Sequence, residues 1–354
     1  MAGQAVRLAV EMDARRGLPS FLPAHEEEDG RENIVSDITQ LIGWTPLIEL
    51  KRIVAKEGLN VRLIGKMETY QPLSSVKDRS ALRMIEDAEE KGLLTPGVST
   101  LLAATSGNLG IGLMCTAIGK GYKFIAVVPA KYSLEKLILL RYLGAEISLT
   151  DPELGIQGMI DRVDKLKESI PDVYEIDQFT NLANPEAHFR GTGPELWKDT
   201  AGKVDIFVAA PGSGGTLTGT ARYLKMKNPN VKIVCVEPME SAVVSGGEPG
   251  KHYIQGVGPG VIPENLDTTC IDEVVTVSSE EAMTQARRLA TDEGLLVGIS
   301  SGANLAACLK AMQIASKQEN EGKMIVTIFP SGGERYLSSK LFESVREECM
   351  NMTF

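Results

Sequence analysis

From Ile34 onward, short uninterrupted apolar runs alternate with segments patterned as helices. Strand candidates lie at residues 62–66, 100–103, 124–128, 146–149, 206–209, 233–236 and 324–328. Helix candidates lie at 80–91, 111–119, 134–143, 156–169, 217–226, 279–293 and 303–315. Apolar strands separated by helices are buried on both faces, which makes the sheets mostly parallel and the fold class α/β. The 354 residues exceed what one hydrophobic core usually serves, so two domains are expected. The alternation breaks in the Asn-, Pro- and Gly-rich stretch 174–194, which reads as a loop crossing between sheets. The expected division is an extension at 1–33, an N-terminal domain at 34–177, a C-terminal domain at 178–345 and a tail at 346–354. The first strands of the N-terminal domain are free to pack on the other one.

A net charge of −10 argues against nucleic-acid partners and anionic membranes, since both need clustered Lys and Arg. No apolar run reaches membrane-spanning length. Cys115, Cys235, Cys270, Cys308 and Cys349 are scattered without a C-x-x-C pair, which fits reduced, mostly buried thiols and no metal site. The first thirty or so residues carry Glu26-Glu27-Glu28-Asp29, unlike an acid-poor transit peptide, so disorder and a cytoplasmic location are expected.

Four strings carry chemistry. In Ser74-Ser75-Val76-Lys77-Asp78-Arg79, a serine can cap a helix whose first turn holds Lys77. The positive helix end disfavours an ammonium there, and a lysine of lowered pKa can condense with an aldehyde. Taken alone, such a lysine is more commonly a solvated surface residue. Thr105-Ser106-Gly107-Asn108-Leu109-Gly110 follows a strand and opens a helix, whose free N–H groups suit a carboxylate; a plain glycine turn is the alternative. Gly212-Ser213-Gly214-Gly215-Thr216 stands in the same setting, lacks a P-loop lysine, and suits a small monophosphate. Ser331, in Pro330-Ser331-Gly332-Gly333, would sit at the C-terminal edge of a sheet, where ligands of open α/β sheets bind, although such a string taken alone is more often a plain turn.

Together these strings, with QLIGWTPLIEL, FTNLANPEAHFRGTGPELW, IQGVGPG, VGISSGAN and FPSGGERYLSS, resemble the cysteine synthase family (O-acetylserine sulfhydrylases) of fold-type II pyridoxal phosphate enzymes. The resemblance runs from about Ile34 to about Cys349 and is nearest to plant-type members, including the β-cyanoalanine synthases. It implies a tryptophan synthase β-like fold of two domains, each a mostly parallel twisted sheet flanked by helices. Lys77 would hold pyridoxal phosphate as an internal aldimine and remove the substrate's α-proton. Gly212, Ser213, Gly214, Gly215 and Thr216 would bind the phosphate, Asn108 the ring oxygen and Ser331 the pyridine nitrogen. Thr105, Ser106 and Gln178 would hold the substrate carboxylate, with Gly107, Leu109 and Tyr132 in the substrate site and Gly256 and Gly258 at the cleft mouth. The implied reaction is β-replacement on an activated serine or cysteine through an α-aminoacrylate. A homodimer is implied, as is a cleft able to dock the C-terminal tail of serine acetyltransferase.

The chain departs from that family in four places. Leu109 stands where a Thr helps hold the carboxylate; losing a hydrogen bond to a charged group weakens binding by about 1.5–3 kcal/mol. Tyr132 replaces a Met that faces the site, Pro259 stiffens a loop that moves on closure, and Leu73 replaces a small or polar residue. Three readings follow: a cysteine or β-cyanoalanine synthase, a relative with a changed substrate or bulkier nucleophile, or a catalytically weak paralogue that binds serine acetyltransferase.

Overall fold

The computed structural model describes residues 34–105, 107–130, 133–314 and 321–353. The extension expected at 1–33 therefore lies outside the described residues, as do Ser106, Tyr132 and Ala315. Among the described residues, ten strands form two sheets. Strands β1 (Leu47–Glu49), β2 (Arg62–Met67), β7 (Ile206–Ala209), β8 (Lys232–Pro238), β9 (Glu273–Val277) and β10 (Met324–Phe329) make a six-stranded sheet in the order β1-β2-β10-β7-β8-β9. Strands β3 (Thr100–Ala104), β4 (Lys123–Pro129), β5 (Glu146–Thr150) and β6 (Val173–Glu175) make a four-stranded one, ordered β5-β4-β3-β6. Every pairing is parallel except β1 with β2. Strands β1 and β2 thus belong to the sheet that otherwise contains only strands from Ile206 onward.

The apolar runs explain this layering. All six residues of β10 are buried, as a central parallel strand requires. Helices Ser279–Glu293 and Ile299–Ile314 cover one face of the large sheet through Ala282, Ala286, Leu289, Leu305 and Cys308. Gly215–Lys227 covers the other through Leu217, Ala221 and Leu224. Gly65 in β2 is required by its neighbour: a Cβ there would lie 2.2 Å from the Phe329 ring. The helices Lys77–Glu90 and Asn108–Lys120 pack on the small sheet through Met84, Ile85, Ile111 and Leu113. Their close approach needs Gly112, where a Cβ would stand 2.9 Å from the Lys77 carbonyl oxygen. Among the described residues no helix is long and apolar enough to cross a membrane. All five cysteines are unpaired, four of them buried.

The stretch expected to be a crossing loop is largely helical. Residues Ala183–Ala187, His188–Thr192 and Gly193–Asp199 run on as an α-turn, a π-turn and an α-helix. Asn181 starts the run by accepting from the Ala183 N–H at 2.9 Å, and both prolines fall where a turn lacks an N–H acceptor in any case.

Candidate active site

Both sheets direct the C-terminal ends of their strands at one cleft, and the four strings line it. The segment before Lys77 is bound to the end of β10. The Val76 N–H donates to the Pro330 carbonyl at 2.8 Å, the Gly332 N–H donates to the Ser74 carbonyl at 3.3 Å, and Ser75 and Ser331 form an antiparallel bridge. Ser74 takes a positive φ of 54° to make this turn, a strained backbone that clusters at functional sites. Neither serine is the cap residue expected from sequence; Ser75 Oγ only accepts weakly from the Lys77 N–H at 3.4 Å. The cap residue is Val76 with no side-chain hydrogen bond, because residues 74–76 are committed to the β10 extension. Asp78 turns back instead and accepts from the Leu73 N–H at 2.7 Å. Lys77 occupies the first turn, half-buried, and burial pushes its amine down to about 8.

Opposite stands the glycine-rich turn that opens the helix Gly215–Lys227. Gly214 adopts φ 85°. The first helical N–H groups, of Gly215, Thr216 and Leu217, precede the first intrahelical bond, which Thr218 makes to Gly214 at 3.0 Å. The turn is wedged on every side. Asn184 Nδ2 donates to Ser213 Oγ and to the Gln178 carbonyl, both at 2.8 Å, and Asn265 Nδ2 donates to the same carbonyl at 2.8 Å. Asn304 holds the floor, accepting from the Ala210 N–H at 2.9 Å and donating to the Ile328 carbonyl at 2.7 Å. His188 connects this turn to the lysine helix: its Nε2 lies 3.2 Å from both Thr216 Oγ1 and Ser80 Oγ. Burial pushes its pKa down to about 3, with the charges of Arg79 and Lys77 adding to the shift, so the ring is neutral.

A Cβ at Gly212 would stand 2.2 Å from the Gly256 carbonyl oxygen, and the Gly258 N–H donates to the Pro211 carbonyl at 3.2 Å. Gly256 (φ 90°) and Gly258 (φ 58°) therefore lie directly against the turn. Gly212→Ala is expected to push the two loops apart and weaken cofactor binding at least about tenfold, some 1.4 kcal/mol. Titration of apo-protein with pyridoxal phosphate checks this; unchanged affinity would remove Gly212 from the site.

A polar cluster joins the remaining strings. The Ser331 and Tyr336 hydroxyls are 2.8 Å apart, Asn108 Nδ2 donates weakly to the Tyr336 hydroxyl at 3.4 Å, and Arg335 Nη1 donates to Asn108 Oδ1 at 2.9 Å. Asp78, pushed up to about 7 by burial, is the acid that most favours the Arg335 charge. Lys136 reaches in from the helix Leu134–Tyr142. Burial, then the Arg335 charge, pushes its amine down to about 8.

Thr105 is buried, and its Oγ1 accepts from the N–H groups of Gly107 and, more closely at 3.2 Å, Gly110. Its hydroxyl proton thereby stays free to donate. Gly107 is the helix cap residue. The Leu109 side chain is 2% exposed and packs in the core with Met84 and Leu113, leaving only its backbone near the helix start. Gln178 is half-buried at the far side of the cleft. Sequence reasoning did not single out Asn184, His188, Asn265, Asn304, Lys136 or Tyr336, although all but Asn265 and Lys136 fall inside strings quoted above.

The arrangement fits pyridoxal phosphate on its own terms. A desolvated lysine, orphan N–H groups at a glycine-cradled helix start, and a neutral hydroxyl cluster between them match an aldehyde, a phosphate and a polar ring. The comparisons agree. Residues 38–331 match the family described as "Pyridoxal-phosphate dependent enzyme". Cysteine synthase 3 of Caenorhabditis elegans is 47% identical over 324 residues, 92% of this chain and 95% of that one. The crystal structure of O-acetyl serine sulfhydrylase isoform 3 from Entamoeba histolytica superposes with a TM-score of 0.83 at 37% identity, covering 92% of this chain and 95% of that one. O-ureido-L-serine synthase superposes with a TM-score of 0.83 at 39% identity, covering 88% and 96%. The sheets, the lysine and the glycine turn thus carry the same conclusion as the relatives: this chain belongs to the pyridoxal-phosphate-dependent enzymes of the cysteine synthase family.

Proposed function

We propose that the protein catalyses β-replacement on O-acetylserine, with Lys77 as the cofactor lysine and proton carrier, and sulfide or cyanide as the nucleophile. The observation that carries this is the desolvated Lys77 amine, on a segment bridged to Ser331 through Ser75 and on a helix tied to the Gly212–Thr216 turn through His188. Bound pyridoxal phosphate supplies the electron sink for the pair released when the α-proton leaves. Backbone N–H groups at Asn108 and Leu109, with the Thr105 hydroxyl and Gln178, hold the substrate carboxylate at the helix start. Ser106, in the same string, is assigned to that carboxylate site by the resemblance alone. Asn108 and Ser331 fix the ring plane, and Ser331, a neutral hydroxyl, favours prompt loss of the β-leaving group over a long-lived carbanion. Lys77 Nζ takes the α-proton and later returns it. Gly256 and Gly258 form the mouth.

Purified holoenzyme given O-acetylserine and sulfide is expected to release acetate and cysteine. Absence of acetate release with both sulfide and cyanide sinks the reading. Covalent capture of pyridoxal phosphate by apo-protein, trapped with borohydride, is expected to label Lys77 and to quicken as pH rises toward about 8, because the free amine attacks. A capture rate that falls over that range, or a label elsewhere, contradicts it.

A second reading has its own support in Leu109, whose side chain turns into the core and gives the helix start no hydroxyl, in Pro259 beside Gly258 and in the sequence substitution at Tyr132: a bulkier nucleophile. O-ureido-L-serine synthase, to which this chain is similar, illustrates the range. A screen of nucleophiles separates the two. The resemblance further supports a cytoplasmic homodimer whose cleft docks the serine acetyltransferase tail; light scattering with and without the tail peptide tests this.

A further inference from the structure

The cleft holds more buried positive charge than the reading above uses. Lys136 is 4% exposed, and its Nζ donates to Gln255 Oε1 at 2.7 Å while lying 4.9 Å from the centroid of the Tyr336 ring. That ring carries the hydroxyl that meets Ser331. Among the described residues Lys136 forms no ion pair. The adjacent acid, Glu135, is engaged elsewhere, accepting from the Ser338 N–H at 2.5 Å and the Ser338 hydroxyl at 2.7 Å. Arg335, 8% exposed, donates through Nη1 to Asn108, a neutral partner. The acid that most favours the Arg335 charge is Asp78, and the acid beside Lys136 is Glu135, already held by Ser338. A buried cation without a counter-charge is costly, and the missing partner here is an anion.

We propose that Lys136 and Arg335 form an anion subsite that receives the nucleophile as an anion, which makes Lys136 a specificity-determining residue. This rests on the β-replacement reading. The chemistry balances without a further reactant: hydrosulfide forms the new C–S bond, the C–O bond to acetate breaks, and one anion enters for each that leaves. The cation–π contact holds the Lys136 stem over Tyr336, so the ammonium is fixed rather than swinging in solvent. Gln255 offers only a neutral oxygen, which an incoming anion can displace.

The test uses holoenzyme, Lys136→Gln and Lys136→Arg, with hydrosulfide as anionic and 1,2,4-triazole as neutral nucleophile. The kcat/KM for hydrosulfide relative to triazole is expected to fall at least tenfold in Lys136→Gln and to recover to within threefold of the parent in Lys136→Arg. Crystals of holoenzyme soaked in bromide should show an anomalous peak beside Lys136 and Arg335 that Lys136→Gln lacks. A parent without that peak overturns the subsite whether or not O-acetylserine is the substrate. An equal fall for both nucleophiles, or for acetate release, also overturns it, since that pattern marks Lys136 as a structural clasp on Gln255. Failure of acetate release in the parent, with the peak present, counts against the substrate reading alone.

Discussion

Lys77→Ala is expected to lower turnover by at least about 10³-fold, the upper part of the range for losing a general base. The loss should be larger than for any single phosphate-turn variant, because Lys77 both holds the cofactor and moves the proton. Its side chain donates no hydrogen bond among the described residues, so the fold should survive: circular dichroism and the denaturation midpoint should match the parent. Added methylamine should restore part of the rate by replacing the missing base. The alternative amine in the cleft, Lys136, shares the lowered pKa of about 8 but is held by Gln255 and Tyr336. A Lys77→Ala protein keeping more than a tenth of parental turnover would show that another amine does the work.

Arg79→Leu is expected to cost about 3–5 kcal/mol of stability, the range for removing one partner of a buried ion pair. Arg79 reaches Glu68 through Nε at 2.7 Å and Glu195 through Nη1 at 2.5 Å, and Lys66 meets Glu195 at 2.7 Å. All four side chains are at most 4% exposed. Two cations thus balance two carboxylates, and the network ties the lysine helix to β2 and to the helix Gly193–Asp199. Arg79 and Lys66 hold Glu195 far below the usual carboxylate range, and Arg79 holds Glu68 below it. In the parent, these depressed pKa values give stability that is present above about pH 4.5 and lost as pH falls further. Without Arg79 one buried carboxylate lacks its counter-charge and its pKa rises above the unfolded value. Protonation then relieves the cost, so the deficit should narrow between pH 7 and pH 5. Guanidinium denaturation at both pH values measures it; a deficit under 1 kcal/mol, equal at the two, refutes the account.

Much of the scaffold could be read from the chain. The seven expected strands are all found, each within two residues of its expected ends, because continuous apolar runs in parallel sheets have few other fates. The three unexpected strands have little burial to signal them: β1 and β6 are half-buried throughout and β9 is buried at only two of five positions, although β5, no better buried, was found. Glycine-rich turns after strands marked the site, since their function is carried by backbone. What stayed hidden were ordinary Asn, His, Lys and Tyr residues whose role depends on which loop lies opposite. Asn184 and His188 sat in a stretch whose Asn and Pro content reads as loop. Lys136 sat on a helix whose partner, Gln255, is 119 residues away.

The pairing of β2 with β10 also bears on how the protein is made. A chain leaving the ribosome has every strand of the four-stranded sheet by residue 175, while β2 must wait for its neighbour until residues 324–329 emerge. Until then one edge of β2 is unpaired, the kind of exposed edge that invites misassembly. The bridge from Ser75 to Ser331 forms later still, so Lys77 gains its final surroundings only near the end of synthesis. Chains released before residue 324 should therefore contain the small sheet yet capture no cofactor, and pyridoxal phosphate becomes a chemical report that translation has run nearly to completion.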